Sequence, residues 1–118
     1  MICGIGLDIV QAARMESLSP AAVSRIFTSG ELRHAESRGK SHKAESLAGI
    51  YAAKEAFCKA SGVPLLQVIR ETELQYDDNG APRLTLAGSL AESLDGIRFS
   101  VSITHDGGIS AAVVIAER

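Results

Sequence analysis

The chain has 118 residues, a net charge of −2, and 46% hydrophobic and 22% charged residues. This length fits one domain that buries a core without disulfides or a structural metal, and the composition is that of an ordered globular protein. The charge excludes nucleic-acid binding driven by bulk positive charge, and the longest apolar run, Ala111 to Ala116, is far too short to cross a bilayer.

Ile2 to Val10 alternates, with Ile5, Leu7 and Ile9 on one face and Gly4, Gly6 and Asp8 on the other. This predicts a strand with a half-buried face on which little bulk hides Asp8. Ser19-Pro20 opens a helix to about Thr28, with Ser19 as cap and Pro20 at its first position. A short helix follows over Glu31 to Ser37, then a loop at Gly39-Lys40-Ser41. Lys43 to Ala60, rich in Ala, Leu, Glu and Lys, predicts a long helix that Gly62 and Pro64 stop. Thr72 to Tyr76 and Arg83 to Leu86 flank the turn Asp77-Asp78-Asn79-Gly80, and Ser89 to Leu94 reads as a short helix. Arg98 to Thr104 and Ile109 to Ala116 flank a second hairpin turn, His105-Asp106-Gly107-Gly108. The order predicts an α+β fold, a mostly antiparallel sheet packed on the long helix.

Cys3 and Cys58 have no metal-ligand spacing and read as buried thiols of a reducing compartment. The start Met1-Ile2-Cys3-Gly4 lacks a basic n-region. The expected location is the cytoplasm.

On a helical wheel, Leu47, Ile50, Tyr51, Phe57 and Cys58 of the long helix share one face, and Ala48, Ala52, Glu55 and Lys59 share another. Glu55 and Lys59 project from the same side, and their alanine neighbours would let another molecule approach closely. Taken alone, this pattern favours a surface ion pair. Lys54 falls within the apolar face, where it snorkels, pairs with a buried acid or sits at a subunit interface. His34 and His42 have no motif around them and read as surface residues.

Four segments carry a resemblance. Tyr51-Ala52-Ala53-Lys54-Glu55-Ala56-Phe57-Cys58-Lys59-Ala60 resembles the (W/F)xxKExxxKA signature of the phosphopantetheinyl transferases. Gly4 to Val10 resembles their N-terminal GxDxx strand, Val101 to Asp106 their SxSH segment, and Asn79-Gly80-Ala81-Pro82 their NGxP turn. The motifs occur in the family's order and span nearly the whole chain. The length is that of the short branch, the holo-acyl-carrier-protein synthases. Two positions depart from the pattern: Ile50 stands where the branch usually has Arg, and Thr104 replaces the second Ser of SxSH. The first puts in doubt one charged contact to the nucleotide or a neighbouring subunit.

The resemblance implies transfer of 4′-phosphopantetheine from coenzyme A to a serine of an apo acyl carrier protein, releasing adenosine 3′,5′-bisphosphate. Asp8 and Glu55 would hold Mg²⁺, a cation that takes one or two carboxylates plus water and phosphates. Lys59 would steady or protonate the leaving phosphate, and His105 would serve in positioning or charge. A metal-bound water, or Glu55, would take the serine proton. Asn79, Gly80 and Pro82 lie near the adenine of relatives; Lys43 meets the 3′-phosphate or is a solvated lysine. Arg14 and Arg25 are expected contacts to the acidic carrier, and relatives are homotrimers with active sites between subunits. The alternative is a non-catalytic homologue that binds coenzyme A or a carrier protein. A third reading, a trimerising domain of a larger assembly, suits a free-standing chain less well.

Overall fold

The computed structural model describes residues 1–118. In chain order its elements are β1 (Ile2–Gln11), α1 (Ala12–Glu16), α2 (Pro20–Ile26), α3 (Ser29–Ser37), α4 (Lys43–Ser61), α5 (Leu65–Glu71), β2 (Thr72–Tyr76), β3 (Pro82–Leu86), α6 (Gly88–Ser93), β4 (Arg98–Asp106) and β5 (Ile109–Glu117). The strands make two antiparallel sheets, β1-β5-β4 and β2-β3, and α4 lies across β1 and β5. The α+β expectation holds, with the sheet divided in two. The helices α1 and α5 were not anticipated: each is too short for periodicity to show. Gly62 ends α4 in the left-handed region (φ 77°), and Pro64 is the N-cap of α5 rather than only a stop signal for α4. No helix is long and apolar enough to cross a membrane.

The alternation of β1 is real, and its buried face is the glycine face. Gly6 and Val10 are buried under α4, whereas Ile5, Leu7 and Ile9 are 63–65% exposed. The reason is backbone approach. A Cβ on Gly6 would lie 1.8 Å from the Ala56 carbonyl oxygen, and one on Gly4 would lie 2.0 Å from that of Ala60. Only glycine lets the strand sit this close to the helix.

The same packing corrects the expectation of an approachable alanine stripe. Ala48 and Ala52 have no exposed surface, so the protein's own chain closes that part of α4. On another side, Leu47, Ile50 and Phe57 enter the core, and Phe57 packs on Phe99 with ring centroids 4.6 Å apart.

Of the three possibilities for Lys54, the buried acid is the one realised. Lys54 Nζ lies 2.9 Å from Glu31 Oε1, and both side chains are fully buried. Glu31 also closes a capping box on α3: Thr28 N donates to Glu31 Oε1 (2.9 Å) and Glu31 N donates to Thr28 Oγ1 (3.1 Å). Leu74 N donates to Glu31 Oε2 at 2.7 Å. One carboxylate thus ties α3, α4 and β2 together.

Candidate functional site

The first cluster of functional side chains lies where β1 meets the C-terminal half of α4. Asp8 faces the helix from an edge strand, and its side chain keeps 18% of its surface exposed. Lys59 Nζ donates to the Leu7 carbonyl oxygen (2.8 Å) and to Asp8 Oδ1 (3.3 Å). Glu55, one turn earlier on α4, makes no ion pair with a basic side chain. Burial pushes the Tyr51 phenol above its ordinary range, helped by Glu55 and, to a lesser degree, Asp8. Burial likewise pushes the Cys58 thiol up to about 11, again with contributions from Glu55 and Asp8. Two groups of α4 therefore sense both carboxylates, which border a single patch. The Arg14 guanidinium lies 5.8 Å from the Tyr51 ring centroid and brings positive charge to its rim.

The donor chemistry of this patch is hard oxygen. No grouping of three or more His, Cys, Asp or Glu side chains forms a metal cage anywhere in the chain. Two carboxylates without a third protein ligand fit a cation that completes its shell with water and substrate phosphates, as Mg²⁺ does. They do not fit a structural zinc site.

The second cluster lies at the other end of α4. His105 pairs with Ser110 beside a two-residue turn, Gly107-Gly108, in which both glycines have positive φ (57° and 79°). Its Nδ1 lies 3.1 Å from Glu45 Oε1, and His42 Nδ1 lies 3.5 Å from the same oxygen. Ser110 Oγ donates to the Glu45 carbonyl at 2.9 Å, pinning the first turn of α4 to β5. A cavity of about 200 Å³ opens here, lined by His105, Glu45, Gly80, Pro82, Tyr76, His34 and Arg38. His34 and Tyr76 stack with centroids 3.6 Å apart and planes 9° from parallel. The turn carrying Gly80 is held by Asp77, whose Oδ1 accepts from Asn79 N and Ala81 N, each at 2.9 Å.

The structure brings Asp8, Glu55, Lys59 and Arg14 together, and separately His105, Gly80 and Pro82. It does not join the two groups within one chain. Asp8 and His105 sit on the two edge strands, separated by β5, about 9–10 Å of sheet. Asn79 lies exposed in its turn, and Arg25 lies exposed on α2. Lys43 joins neither group: it pairs with Glu36 at 3.7 Å and lines a different groove with Met15, Leu18 and Val23. Ile50 is wholly buried in the core. His42 stays on the surface, whereas His34, expected there, is half-buried against Tyr76.

The sequence reading missed Glu31, Glu45, Arg38 and Tyr76. For Glu31 a signal existed, the Thr28-x-x-Glu31 capping-box spacing. Glu45 had none, because only the tertiary fold sets the first turn of α4 beside β4.

Residues 4–114 match the model of the 4′-phosphopantetheinyl transferase superfamily. The chain is 38% identical to the holo-[acyl-carrier-protein] synthase of Salinispora arenicola, with all of both chains covered. Among solved structures it is similar to the holo-[acyl-carrier-protein] synthase of Neisseria meningitidis, with a TM-score of 0.87, 35% identity and all of both chains covered. It is also similar to the Chronobacterium ammoniagenes enzyme in its coenzyme A complex. That match has a TM-score of 0.81 and 32% identity and covers 96% of this chain and 95% of the other.

Proposed function

The chain belongs to the 4′-phosphopantetheinyl transferase superfamily, and we infer that it works as a Mg²⁺-dependent holo-acyl-carrier-protein synthase. It transfers the 4′-phosphopantetheine group of coenzyme A to a serine of an apo acyl carrier protein and releases adenosine 3′,5′-bisphosphate. The observation that carries the metal-dependent reading is the patch where Asp8 and Glu55, from a strand and a helix, converge beside Lys59. A bound Mg²⁺ neutralises the charge of the pyrophosphate that is broken. Asp8 and Glu55 supply the oxygens that would hold it. Lys59, more than half exposed, exchanges its present contacts for the leaving phosphate and steadies the charge developing there. A water at the patch takes the serine proton, with Glu55 as the alternative acceptor. Arg14, at the rim, and Arg25 face the acidic carrier.

His105 and the Asn79–Pro82 turn bind the nucleotide end of coenzyme A. Their position across the sheet from Asp8 supports an active site assembled from two chains of a homotrimer. The outer sheet face supports the same assembly: exposed Ile5 and Leu7 pair in register with Ile115 and Val113, an apolar stripe that a second copy covers. The two free cysteines suit the reducing cytoplasm, although Cys3, expected to be buried, lies exposed on β1.

The test combines coenzyme A, Mg²⁺ and a panel of apo carriers, read by mass spectrometry of the intact carrier. The expected result is one phosphopantetheine per carrier, with Asp8→Ala and Glu55→Ala each slowing turnover by about 10²–10³. No mass gain on any carrier would leave the non-catalytic binding homologue as the better reading.

A further inference from the structure

We propose that the Tyr51 hydroxyl is a positioning group: it donates to the Glu55 carboxylate and holds it in place beside Asp8, so that the two carboxylates can take one cation. The inference rests on the metal reading above and adds to it a residue outside the ligand pair.

A glutamate carboxylate ends a flexible side chain, whose rotamer freedom must be given up before it can serve as a ligand. Metal ligands therefore keep an outer partner that fixes their orientation. The two carboxylates of the patch differ in this respect. Asp8 has Lys59, whose Nζ lies 3.3 Å from Oδ1. Glu55 has no cationic partner, and its neighbour one turn back on α4 is Tyr51. Residues four apart on a helix face one another. The Glu55 carboxylate acts on the phenol through its charge and as a hydrogen-bond acceptor. On the other side, the Arg14 guanidinium stands 5.8 Å from the ring centroid, so the ring lies between Arg14 and Glu55.

The chemistry of a phenol suits the task. It is a donor that carries no charge at pH 7. Burial, and next the Glu55 charge, hold the proton on it more firmly still. Such a group orients a carboxylate and leaves it the negative charge that attracts a cation, whereas a lysine or arginine in its place would neutralise that charge. The other neighbours serve less well. The Cys58 thiol is a weak donor, and Lys59 is committed to Asp8 and the Leu7 carbonyl. The signature asks only for an aromatic ring at this position; Tyr51 keeps the ring and adds the hydroxyl.

The experiment uses the full chain with Mn²⁺ as the probe, titrated by electron paramagnetic resonance, beside the Mg²⁺ concentration that half-saturates transfer. Tyr51→Phe keeps the ring and its contact with Arg14 and removes only the donor. It is expected to weaken Mn²⁺ binding by about 10-fold and to raise the half-saturating Mg²⁺ by the same factor, with turnover recovered at high Mg²⁺ and KM for the carrier unchanged. In a Glu55→Ala background the same change should have no further effect, because the hydroxyl acts only through Glu55. Unaltered Mn²⁺ binding in Tyr51→Phe, or an equal loss with Glu55 already removed, would overturn the assignment. A wild-type chain that binds no Mn²⁺, or binds it as well in Asp8→Ala and Glu55→Ala, would overturn the metal reading and this inference together. Mn²⁺ binding that depends on both carboxylates and weakens in Tyr51→Phe, in a chain that transfers nothing, would keep the inference and refute only the transferase reading.

Discussion

Lys54 lies within the transferase signature, yet the structure gives it a purely internal role, and this is open to a sharp test. Lys54→Met keeps the side-chain length and removes the ammonium. Glu31 is then a carboxylate with no exposed surface, still holding Thr28 N and Leu74 N but without its counter-charge. Breaking a buried pair from one side costs about 3–5 kcal/mol, because the remaining charge stays desolvated. For a chain of 118 residues the unfolding entropy is about 0.25 kcal/mol/K, so the melting temperature should fall by about 12–20 °C. Adding Glu31→Gln should recover more than half of that loss, since neither charge is then stranded. Thermal unfolding at one fixed protein concentration measures both, because the midpoint of any assembling chain depends on concentration. Well below the transition, the single variant should keep the wild-type KM for coenzyme A. A fall of less than 4 °C, or a double variant no more stable than Lys54→Met, would refute the buried-pair account. A normal melting temperature with lost turnover would move Lys54 into the chemistry instead.

Two further predictions rest on the packing around β1. Leu7→Asp puts a charge in the middle of the exposed stripe and should convert the proposed trimer to monomers by light scattering, with loss of transfer; an active trimer would refute the proposed interface. The Cys58 thiol, raised to about 11 from an ordinary 9.0, should alkylate about 100-fold more slowly in the native protein at pH 8 than in urea. The sign for stability follows: the native state keeps this proton where the unfolded chain loses it, so stability falls as pH rises past the unfolded value towards the folded one. Equal alkylation rates in both states would refute the burial of Cys58.

The long helix and both hairpins were legible because their signals are local: helix formers without proline over Lys43 to Ala60, and Asn79-Gly80 or Gly107-Gly108 between strands. The four motifs identified the family, whose model matches residues 4–114. The direction of burial was not legible. Alternation gives a period, and nothing in it says that glycines rather than Ile5, Leu7 and Ile9 turn inward; that depends on the carbonyls of Ala56 and Ala60. Lys54 also had no local answer, because Glu31 lies 23 residues before it.

The glycine face of β1 has a consequence for the whole assembly. Gly4 and Gly6 are spent on backbone contact with α4, which leaves the apolar half of the strand pointing away from the core. A monomer would leave Ile5, Leu7 and Ile9 in water, at a cost that scales with exposed apolar area. β1 is also an edge strand, so Asp8 lies at one margin of the sheet and His105 at the other. Between the carboxylate patch and the His105 cavity lies α4, which covers β1 and β5. On the trimer reading proposed above, a second copy covers the stripe and the Asp8 margin of one chain meets the His105 margin of the next. On that reading, desolvation of one strand face and completion of the active site would be a single event, and a substitution such as Leu7→Asp should abolish both together.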